Sequence, residues 1–561
     1  MNTQQIVVIS GKTCSGKSSL SALLVKEFGF RALSSREVLL EKSNGDLSRT
    51  LTDRAKLARF GSELNRSSES EWLLDAAKGL TNSGALKQSI VIDHASRYSQ
   101  VQAFRKHFGS RLIHVHLYAS RDTLLNRFQQ NSENGGLDYD DIDHLTNDDD
   151  IKLLKTDADV RIYTSKTDSR DTLVRVASRL HLYAPPTVRC VDVLIGGQYG
   201  SEGKGNVVSY LSKEYDVMVR VGGPNAGHTV ADSAGTYTHH HLPSGARDIA
   251  ARLILGPGMT IRVEKLLKEI AECHITPDRL FIDPQATIIT DEDVDNESQR
   301  LVGEIGSTGS GSGAASARRI LDRGIESTRL AKDIPELALF VGDSIPYRGR
   351  TVDRLEEAYQ AGQSILLEGT QGSGLSIYHG TYPYVTSRDT NVAGCLAEAG
   401  ISPSRIRKIL MVVRSTPIRV GDPDGDGGFT SGPLRHQTSF DEVAVQSNGL
   451  DADALYKAEK TSTTKRDRRV GWFEWTQFRD ACALNAPTDI VLTFADYLAA
   501  SNREARRFEQ LDSDTIKFVE ELERVAQAPV SMINIRFPRE ASELDDLRTI
   551  IDRRNWTGRS H

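Results

Sequence analysis

The sequence predicts two successive α/β domains in one chain of 561 residues. Three observations lead to this prediction. The apolar run 6–9 is followed by a glycine-rich turn and an amphipathic segment, which is a strand–loop–helix pattern. A second strand and glycine loop begin directly after the proline-containing stretch 183–190. From there, apolar strands alternate with helices and long glycine-rich loops, as expected of one large α/β domain.

The stretch 183–190, YAPPTVRC, separates these two patterns, and we place the domain boundary there. The predicted domains are residues 1–185 and residues 189–561. A prior of about 150 residues per domain allows two to four compact units in a chain of this length.

The bulk composition excludes several classes of protein. The formal net charge is -6, with 38% hydrophobic and 26% charged residues, which argues against nucleic acid or an anionic membrane as the main partner. Neither a signal-peptide pattern nor an apolar run of about 18 residues occurs, so we expect a cytoplasmic protein. The five cysteines are scattered and contain no CxxC pair, which predicts neither a disulfide framework nor a zinc site.

Further elements of the first domain follow from apolar runs. Strands are predicted at 89–93, 111–118 and 158–164, with helices at 121–128 and from about Asp168 to Leu182. The intervening segment 131–150 is polar and acidic, and we expect a mobile loop or lid there. The result is a nucleotide-kinase-like α/β pattern.

The first glycine loop carries the strongest local motif. Gly11, Gly16, Lys17 and Ser18 match G-x-x-x-x-G-K-[ST] between a predicted strand and a predicted helix, and Ser19 follows. Backbone N–H groups of such a loop surround phosphates, the lysine adds positive charge, and the Ser18 hydroxyl can ligate Mg²⁺. The motif predicts a P-loop that binds a nucleoside triphosphate.

The segment VIDHASRYSQVQAF resembles the corresponding part of small nucleoside-monophosphate kinases and dephospho-CoA-kinase-like proteins. The resemblance implies that Asp93 stands near the metal or the phosphoryl acceptor, and Arg97 near the acceptor's phosphate. Asp93 could instead cap a helix. The sequence leaves open which molecule accepts the phosphoryl group.

The second glycine loop, GGQYGSEGKGN at 196–206, lacks the P-loop spacing but again places glycines and a lysine after a strand. Four motifs downstream occur in the order found in adenylosuccinate synthetases: RVGGPNAGHTV, EGTQGSGLSIYHGTYPYVTSRDT, TSTTKRDRRVGWFE and LTFADYL. Residues 191–539 therefore resemble that family. The resemblance implies a large mixed-sheet α/β body, a homodimer, Mg²⁺, and a ligase that takes ATP or GTP, L-aspartate and a purine nucleoside monophosphate.

Enzymes of this family phosphorylate the purine 6-oxygen, and the aspartate amine then displaces the phosphate. The resemblance implies that Lys204 and the loop amides hold the donor phosphates and that His228 acts as an acid at the transferring phosphoryl group. Ser201 and Gln371 complete the implied catalytic set. Ser201 and Gly227 stand at the implied metal position.

The remaining implied contacts fall into three groups. Implied contacts to the donor nucleotide come from Gly200, Ser201, Glu202, Gly203, Lys204, Gly205, Gly227, Thr229, Arg468, Phe494 and Asp496. Implied contacts to the purine nucleotide come from Ser201, Asn225, Thr308, Gln371, Thr386 and one of Arg318 and Arg319, for which we choose Arg319. Implied contacts to the aspartate carboxylates come from Thr463, Thr464 and Arg466.

Two positions depart from the family. Ser201 stands where adenylosuccinate synthetases have an aspartate that is both the base for the purine N1 proton and a metal ligand, and a hydroxyl does neither well. In this respect the chain resembles the phage-type N6-succino-2-amino-2′-deoxyadenylate synthase branch, which uses (d)GMP. The family's LTKLD motif is LTFAD here, with Phe494 and Asp496, so ATP or dATP is as compatible a donor as GTP.

Three functions stay open on the sequence alone. The first is ligation of aspartate to dGMP or GMP, and the second is ordinary adenylosuccinate synthesis from IMP. The third is a non-catalytic purine-nucleotide sensor, against which the retained aspartate loop argues. The base for N1 is not evident, and Glu202 and the substrate's own phosphates are the two candidates.

Overall fold

The computed structural model describes residues 4–43, 56–57, 59–61, 63–65, 71–82, 88–130, 138–140, 147–232, 235–323, 329–342, 349–421, 431–461, 466–537 and 548–558. The chain divides into two compact units, Met1–Tyr183 and Ala184–His561. Within the described ranges, no helix has both the length and the apolarity needed to cross a bilayer.

The first unit is built on a five-stranded parallel sheet in the order β2-β3-β1-β4-β5. Its strands are β1 Ile6–Ser10, β2 Arg31–Leu33, β3 Ile90–Ala95, β4 Leu112–Tyr118 and β5 Val160–Tyr163. Its helices are α1 Lys17–Phe28, α2 Ser35–Lys42, α3 Glu71–Asn82, α4 Tyr98–Phe108, α5 Arg121–Gln130, α6 Asp148–Asp157 and α7 Ser169–Arg179. Apolar clusters pack on both faces of the sheet, as a parallel sheet requires. This is the predicted P-loop kinase-like α/β architecture.

Part of the predicted lid is ordered helix. Asp148, Asp149 and Asp150 form the first turn of α6, and the Asn147 side chain accepts a hydrogen bond from the Asp149 backbone as its N-cap. Negative charge in a first helical turn is favourable, which explains why so acidic a run begins a helix. Residues 131–137 and 141–146 of the predicted lid lie outside the described residues.

The second unit contains a nine-stranded sheet in the order β12-β10-β7-β14-β6-β15-β19-β20-β21, in which only β20 and β21 pair antiparallel. This confirms the predicted large mixed sheet. Its strands are β6 Val191–Gly196, β7 Val217–Arg220, β10 Arg252–Leu255, β12 Leu280–Ile282, β14 Ile365–Gly372, β15 Ile406–Arg414, β19 Asp489–Thr493, β20 Val530–Asn534 and β21 Ile550–Asp552.

Smaller sheets extend from this body. They are the hairpin β8 His228–Asp232 with β9 Gly235–His239, the pair β11 Thr260–Ile261 with β13 Thr287–Ile288, and a three-stranded sheet of β16 Ile418–Val420, β18 Arg468–Gly471 and β17 Gln437–Thr438. The helices are α8 Lys204–Leu211, α9 Val263–Glu272, α10 Asp291–Ile305, α11 Ser312–Leu321, α12 Thr351–Gln360, α13 Val392–Ala399, α14 Phe440–Ser447, α15 Ala452–Ala458, α16 Trp475–Asn485 and α17 Ser513–Ala526.

The central strands β6, β14, β15 and β19 are buried along most or all of their length because apolar clusters cover both faces of the sheet. Parallel strands end at the same edge, so the segments that follow these strands meet there. That edge carries the second glycine loop and most of the predicted ligase residues.

Candidate active site

The second glycine loop joins β6 to α8 through residues with left-handed backbone. Gly200, Ser201 and Gly203 have φ values of 98°, 54° and 80°, and Gly203 is the N-cap residue of α8. Lys204 therefore opens the helix, where backbone N–H groups and the helix dipole favour an anion. Gly205, one residue on, lets α8 approach β8, because a Cβ there would lie 3.0 Å from the His228 Cβ.

Glu202 holds this loop from inside. Its buried carboxylate accepts hydrogen bonds from the backbone N–H groups of Gln198 at 3.1 Å and Gly200 at 2.8 Å, and from the Lys204 ammonium at 2.5 Å. Burial raises the pKa of Glu202, but the Lys204 charge and these hydrogen bonds outweigh it and keep that pKa below its ordinary value. Glu202 is thus an ionised loop anchor, and its orientation does not suit a base for the purine N1 proton.

Ser201 lies exposed at the tip of the loop. Its hydroxyl accepts a hydrogen bond from Arg468 Nη2 at 3.1 Å, and its carbonyl accepts one from Arg414 Nη1 at 3.3 Å. The Arg414 guanidinium also lies 4.0 Å from the centroid of the Phe494 ring. Phe494, an implied contact of the donor nucleotide, is therefore covered on one ring face by an arginine of the same chain. Asp496 is buried and accepts from Arg503 Nε at 3.1 Å.

His228 opens β8 and belongs to a buried charged cluster. Its Nδ1 donates to Glu368 Oε1 at 2.5 Å, and the same oxygen accepts from Arg220 Nη1 at 2.6 Å and Ser244 Oγ at 2.5 Å. Burial and the Arg220 charge lower the pKa of His228 to about 4, against the opposing effect of Glu368. Its Nε2 faces the Thr370 carbonyl at 3.2 Å, a geometry that suits a protonated ring. Negative charge arriving beside Nε2 would therefore favour the acid form.

The family resemblance implies that His228 is an acid at the transferring phosphoryl group. On that assignment, replacing Glu368 with glutamine is expected to lower kcat for ligation about a hundred-fold or more, because the protonated form of His228 loses its main stabilising charge. The pKa of Glu368 lies well below its ordinary value: burial opposes ionisation, and Arg220 and His228 more than offset it. Removing the carboxylate lowers the His228 pKa further, so the basic limb of the kcat–pH profile moves to lower pH. Breaking this buried pair also costs about 3–5 kcal/mol of stability.

The control for this variant is Glu269→Gln. Glu269 is also buried and accepts hydrogen bonds from a histidine, His241, and from backbone N–H groups, but it has no contact with the His228 cluster. The Glu269→Gln variant should have a lower Tm than the wild type and an unchanged kcat–pH profile. A kcat–pH profile of Glu368→Gln that matches the wild-type one would contradict the role of this cluster.

The predicted purine ligands come from separate segments. Asn225 Nδ2 donates to Thr386 Oγ1 at 3.4 Å, while the buried Asn225 Oδ1 has no partner among the described residues. A cavity of about 30 Å³ adjoins Asn225 and is lined also by Arg388. The Gln371 side-chain Oε1 accepts from Thr370 Oγ1 at 2.6 Å near the end of β14. An amide oxygen left unpaired in the interior is a group that a bound ligand can satisfy.

Thr308 is half-buried between α10 and α11. Both candidate arginines of α11 bind within their own chain: Arg318 forms a bidentate pair with Asp293 at 3.0 and 2.8 Å, and Arg319 donates to Thr287 Oγ1 at 2.7 Å. Thr229 pairs with Thr238 across the β8–β9 hairpin at 2.9 Å, and Gly227 immediately precedes β8.

Part of the predicted aspartate loop is described. Thr463 and Thr464 lie outside the described residues. The Arg466 backbone N–H donates to Thr461 Oγ1 at 2.9 Å, and its buried Nη1 has no hydrogen-bond partner among the residues that the structure describes. A desolvated guanidinium nitrogen without a partner is costly, and a carboxylate is the group that would satisfy it best.

In the first unit the P-loop borders a cavity of about 810 Å³. Gly11 and Gly16 have φ of 138° and 103°, and a Cβ on Gly11 would lie 2.0 Å from the Leu117 carbonyl oxygen, so only glycine fits there. Lys17 donates to the carbonyls of Gly11 and Lys12, both at 2.8 Å. Ser18 and Ser19 follow in the first turn of α1 and also line the cavity.

The acceptor-side residues line the same cavity. Asp93 Oδ1 accepts from the Ser35 backbone N–H at 2.9 Å and from its hydroxyl at 3.0 Å, so it caps the start of α2 as well as facing the cavity. Arg97 pairs with Asp150 of α6 at 2.8 Å, with both side chains largely buried. A phosphate group of the acceptor that binds Arg97 would have to share the guanidinium with Asp150 or displace the Asp150 carboxylate from it.

Sequence reasoning missed the inner partners of the ligase site. The four missed residues are Arg220, Glu368, Arg414 and Glu459, all essentially buried. One signal was available for Arg220, Glu368 and Arg414: each is a lone charge in or beside an apolar stretch, and buried charges are rarely tolerated without a function or a partner. Glu459 lies between Lys457 and Lys460 in a charged segment, which gave no such signal.

The second unit is similar in sequence and in fold to proteins of one known family. The family model described as adenylosuccinate synthetase matches residues 193–338 and 332–503. Adenylosuccinate synthetase from Methanococcus maripaludis (strain C6 / ATCC BAA-1332) is 35% identical over 349 residues, 61% of this chain and 95% of that protein. The enzyme from Pyrococcus horikoshii is 34% identical over 370 residues, 65% of this chain and 98% of that protein.

Two solved structures cover the same part of the chain. Cyanophage S-2L succinoaminodeoxyadenylate synthetase (PurZ), bound to dGMP and to dATP as an energy donor, is 26% identical with a TM-score of 0.51 over 65% of this chain and 95% of that one. Fully ligated adenylosuccinate synthetase from Plasmodium falciparum is 21% identical, with a TM-score of 0.53 over 65% of this chain and 100% of that one, a likeness of fold alone. The second unit therefore has the sequence and the fold of a purine-nucleotide ligase. The chain belongs to the adenylosuccinate synthetase family.

Proposed function

We propose that the second unit ligates L-aspartate to dGMP or GMP at the expense of a nucleoside triphosphate. The products are N6-succino-2-amino-(deoxy)adenylate, the nucleoside diphosphate and phosphate. The observation that carries the proposal is Ser201, a hydroxyl at the exposed loop tip that is bound by Arg468 where family members have a carboxylate. A serine is shorter than an aspartate, which leaves room for the 2-amino group of guanine, and it can accept that group's hydrogen bond. The similarity to the dGMP-bound cyanophage enzyme supports this choice.

The reaction has two balanced steps. The γ-phosphoryl group moves from the donor to the purine 6-oxygen, and the diphosphate leaves as the N1 proton departs. The aspartate nitrogen then forms its bond to C6, and the C6–O bond breaks with release of phosphate. Lys204 and the loop amides stabilise the donor phosphates, and His228 donates a proton or hydrogen bond to the transferring group. Because Glu202 is directed into its own loop, we assign the N1 proton to an oxygen of the transferring phosphate.

The family implies Mg²⁺, and the residues at the two glycine loops suit it differently. At Ser201 the hydroxyl is already bound by a guanidinium, and the neighbouring carboxylate of Glu202 points inward, so these residues do not fit a divalent cation. Ser18, beside Lys17 in the first turn of α1, does fit. Ser18 would hold a Mg²⁺ ion there, and the ion would neutralise negative charge on the donor phosphates.

A specific observation supports a second activity for the first unit. Its cavity of about 810 Å³ is lined by the P-loop and also by Asp93 and Arg97, and it has enough space for a triphosphate donor and a small acceptor. We propose that this unit is a nucleotide kinase with its own donor site.

A competition assay tests the ligase proposal. Purified protein with ATP, aspartate, Mg²⁺ and equal concentrations of dGMP and IMP should convert dGMP to its succinyl adduct at least about ten-fold faster, because IMP lacks the 2-amino group whose hydrogen bond the Ser201 hydroxyl would accept. Mass spectrometry distinguishes the two adducts. A preference for IMP would identify an ordinary adenylosuccinate synthetase, and no adduct with either would favour a nucleotide sensor.

The variant Ser201→Asp should move the preference toward IMP and slow the turnover of dGMP, because it restores a base and crowds the 2-amino group. Ser201→Asn is the matched control, since it has the size of aspartate without a basic carboxylate. Ser201→Asn should slow the turnover of dGMP without raising the turnover of IMP. If Ser201→Asp leaves the dGMP/IMP ratio unchanged, Ser201 is not the selector.

A further inference from the structure

Glu459 lies at the C-terminal end of α15, just before the predicted aspartate loop, and is 2% exposed. Its carboxylate accepts hydrogen bonds from three side chains that lie far apart in sequence. Oε1 accepts from Arg414 Nη2 at 3.0 Å and from the Tyr497 hydroxyl at 2.5 Å. Oε2 accepts from Arg468 Nη1 at 2.8 Å. A fully buried carboxylate with this many donors is held in one position.

Both arginines bound by Glu459 also reach Ser201. Arg468 Nη2 donates a hydrogen bond to the Ser201 hydroxyl, and Arg414 Nη1 donates one to the Ser201 carbonyl. Each guanidinium therefore bridges Glu459 and the loop tip. Arg414 is completely buried and lies over the Phe494 ring, which further restricts it. The loop tip has left-handed backbone at a non-glycine residue, and these contacts from outside the loop help to maintain it.

We propose that Glu459 is a positioning residue for purine selection, which acts through Arg414 and Arg468 to set where the Ser201 hydroxyl stands. This rests on the proposed role of Ser201. The two arginines and the single carboxylate leave one positive charge in excess beside the glycine loop, which suits the anionic substrates of the reaction. The Glu459 carboxylate itself is directed to the two arginines and to Tyr497.

The test is a double-mutant cycle between Glu459 and Ser201, read as the dGMP/IMP ratio of kcat/KM. Glu459→Gln keeps the shape of the side chain but removes its charge. One arginine then faces an amide N–H group, which cannot accept its hydrogen bond, so we expect that arginine to move. The ratio should fall about ten-fold in the wild-type background and hardly change in a Ser201→Ala background. Glu459→Asp retains the charge and should restore part of the ratio. It also provides a folded variant if the glutamine variant is insoluble.

Asp192→Asn is the matched control. Asp192 is also buried and accepts hydrogen bonds from a tyrosine hydroxyl, Tyr215 at 2.6 Å, and from an arginine, Arg407 Nε at 2.9 Å, but it lies near the opposite end of β6. It should lower Tm and leave the purine ratio unchanged. If Glu459→Gln behaves in the same way, or if its effect is equal with and without Ser201, the positioning role is wrong. The wild-type ratio separately reports on the proposed substrate.

Discussion

Replacing Arg466 with leucine is expected to raise the apparent KM for aspartate about thirty-fold or more, with little change in the KM for the purine nucleotide. The buried Nη1 of Arg466 has no partner among the described residues, and a substrate carboxylate that loses this partner is left desolvated and unpaired. Such losses cost about 2–5 kcal/mol, and about 2 kcal/mol already corresponds to the thirty-fold change. Steady-state kinetics with each substrate varied in turn measure the effect.

Arg469→Leu is the control for that variant. Arg469 lies three residues further along, in β18, and donates to the Gly432 carbonyl and to Ser431 Oγ at 2.8 Å, so its charge is used within the protein. It should change the KM for aspartate no more than that for the purine nucleotide. If Arg466→Leu raises both KM values equally, the aspartate loop has been assigned to the wrong segment.

Replacing Lys17 with alanine is expected to reduce nucleotide phosphorylation by the first unit about a hundred-fold or more and to leave aspartate ligation largely intact. The lysine is held over the P-loop by two backbone carbonyls, ready to contact transferring phosphate, and removing one such charge from a phosphoryl-transfer site has effects of this size. The second unit has its own glycine loop with Lys204, so we expect its donor site to be independent of Lys17. Diphosphate formation from a panel of nucleoside monophosphates and the succinyl adduct are measured on the same preparation.

Lys26→Ala serves as the control, because Lys26 is exposed in the last turn of the same helix. It should change neither activity. A Lys17→Ala protein that is folded but no longer ligates aspartate would show that the two glycine loops do not act independently.

The sequence predicted the α/β class and both glycine loops because their patterns are local. A strand followed by closely spaced glycines and a lysine has few alternative structures, since the glycines adopt left-handed backbone at Gly11, Gly16, Gly200 and Gly203. The family motifs likewise placed Asn225 and Thr386 in one site, and they lie within 3.4 Å of each other. The acidic run at 148–150 was less predictable, because an acidic segment is both a typical loop and a favourable first helical turn.

What each side chain faces depended on the tertiary structure. Ser201 and Glu202 are adjacent in the glycine loop, yet the Ser201 side chain is exposed and the Glu202 carboxylate is buried against its own loop. The left-handed backbone at Ser201 sets this difference. The sequence by itself determined that a phosphate loop precedes α8. Only the fold brought Arg414, Glu459 and Arg468 to that loop from the ends of separate elements, because parallel strands end at one edge and charges buried there must find partners across the sequence.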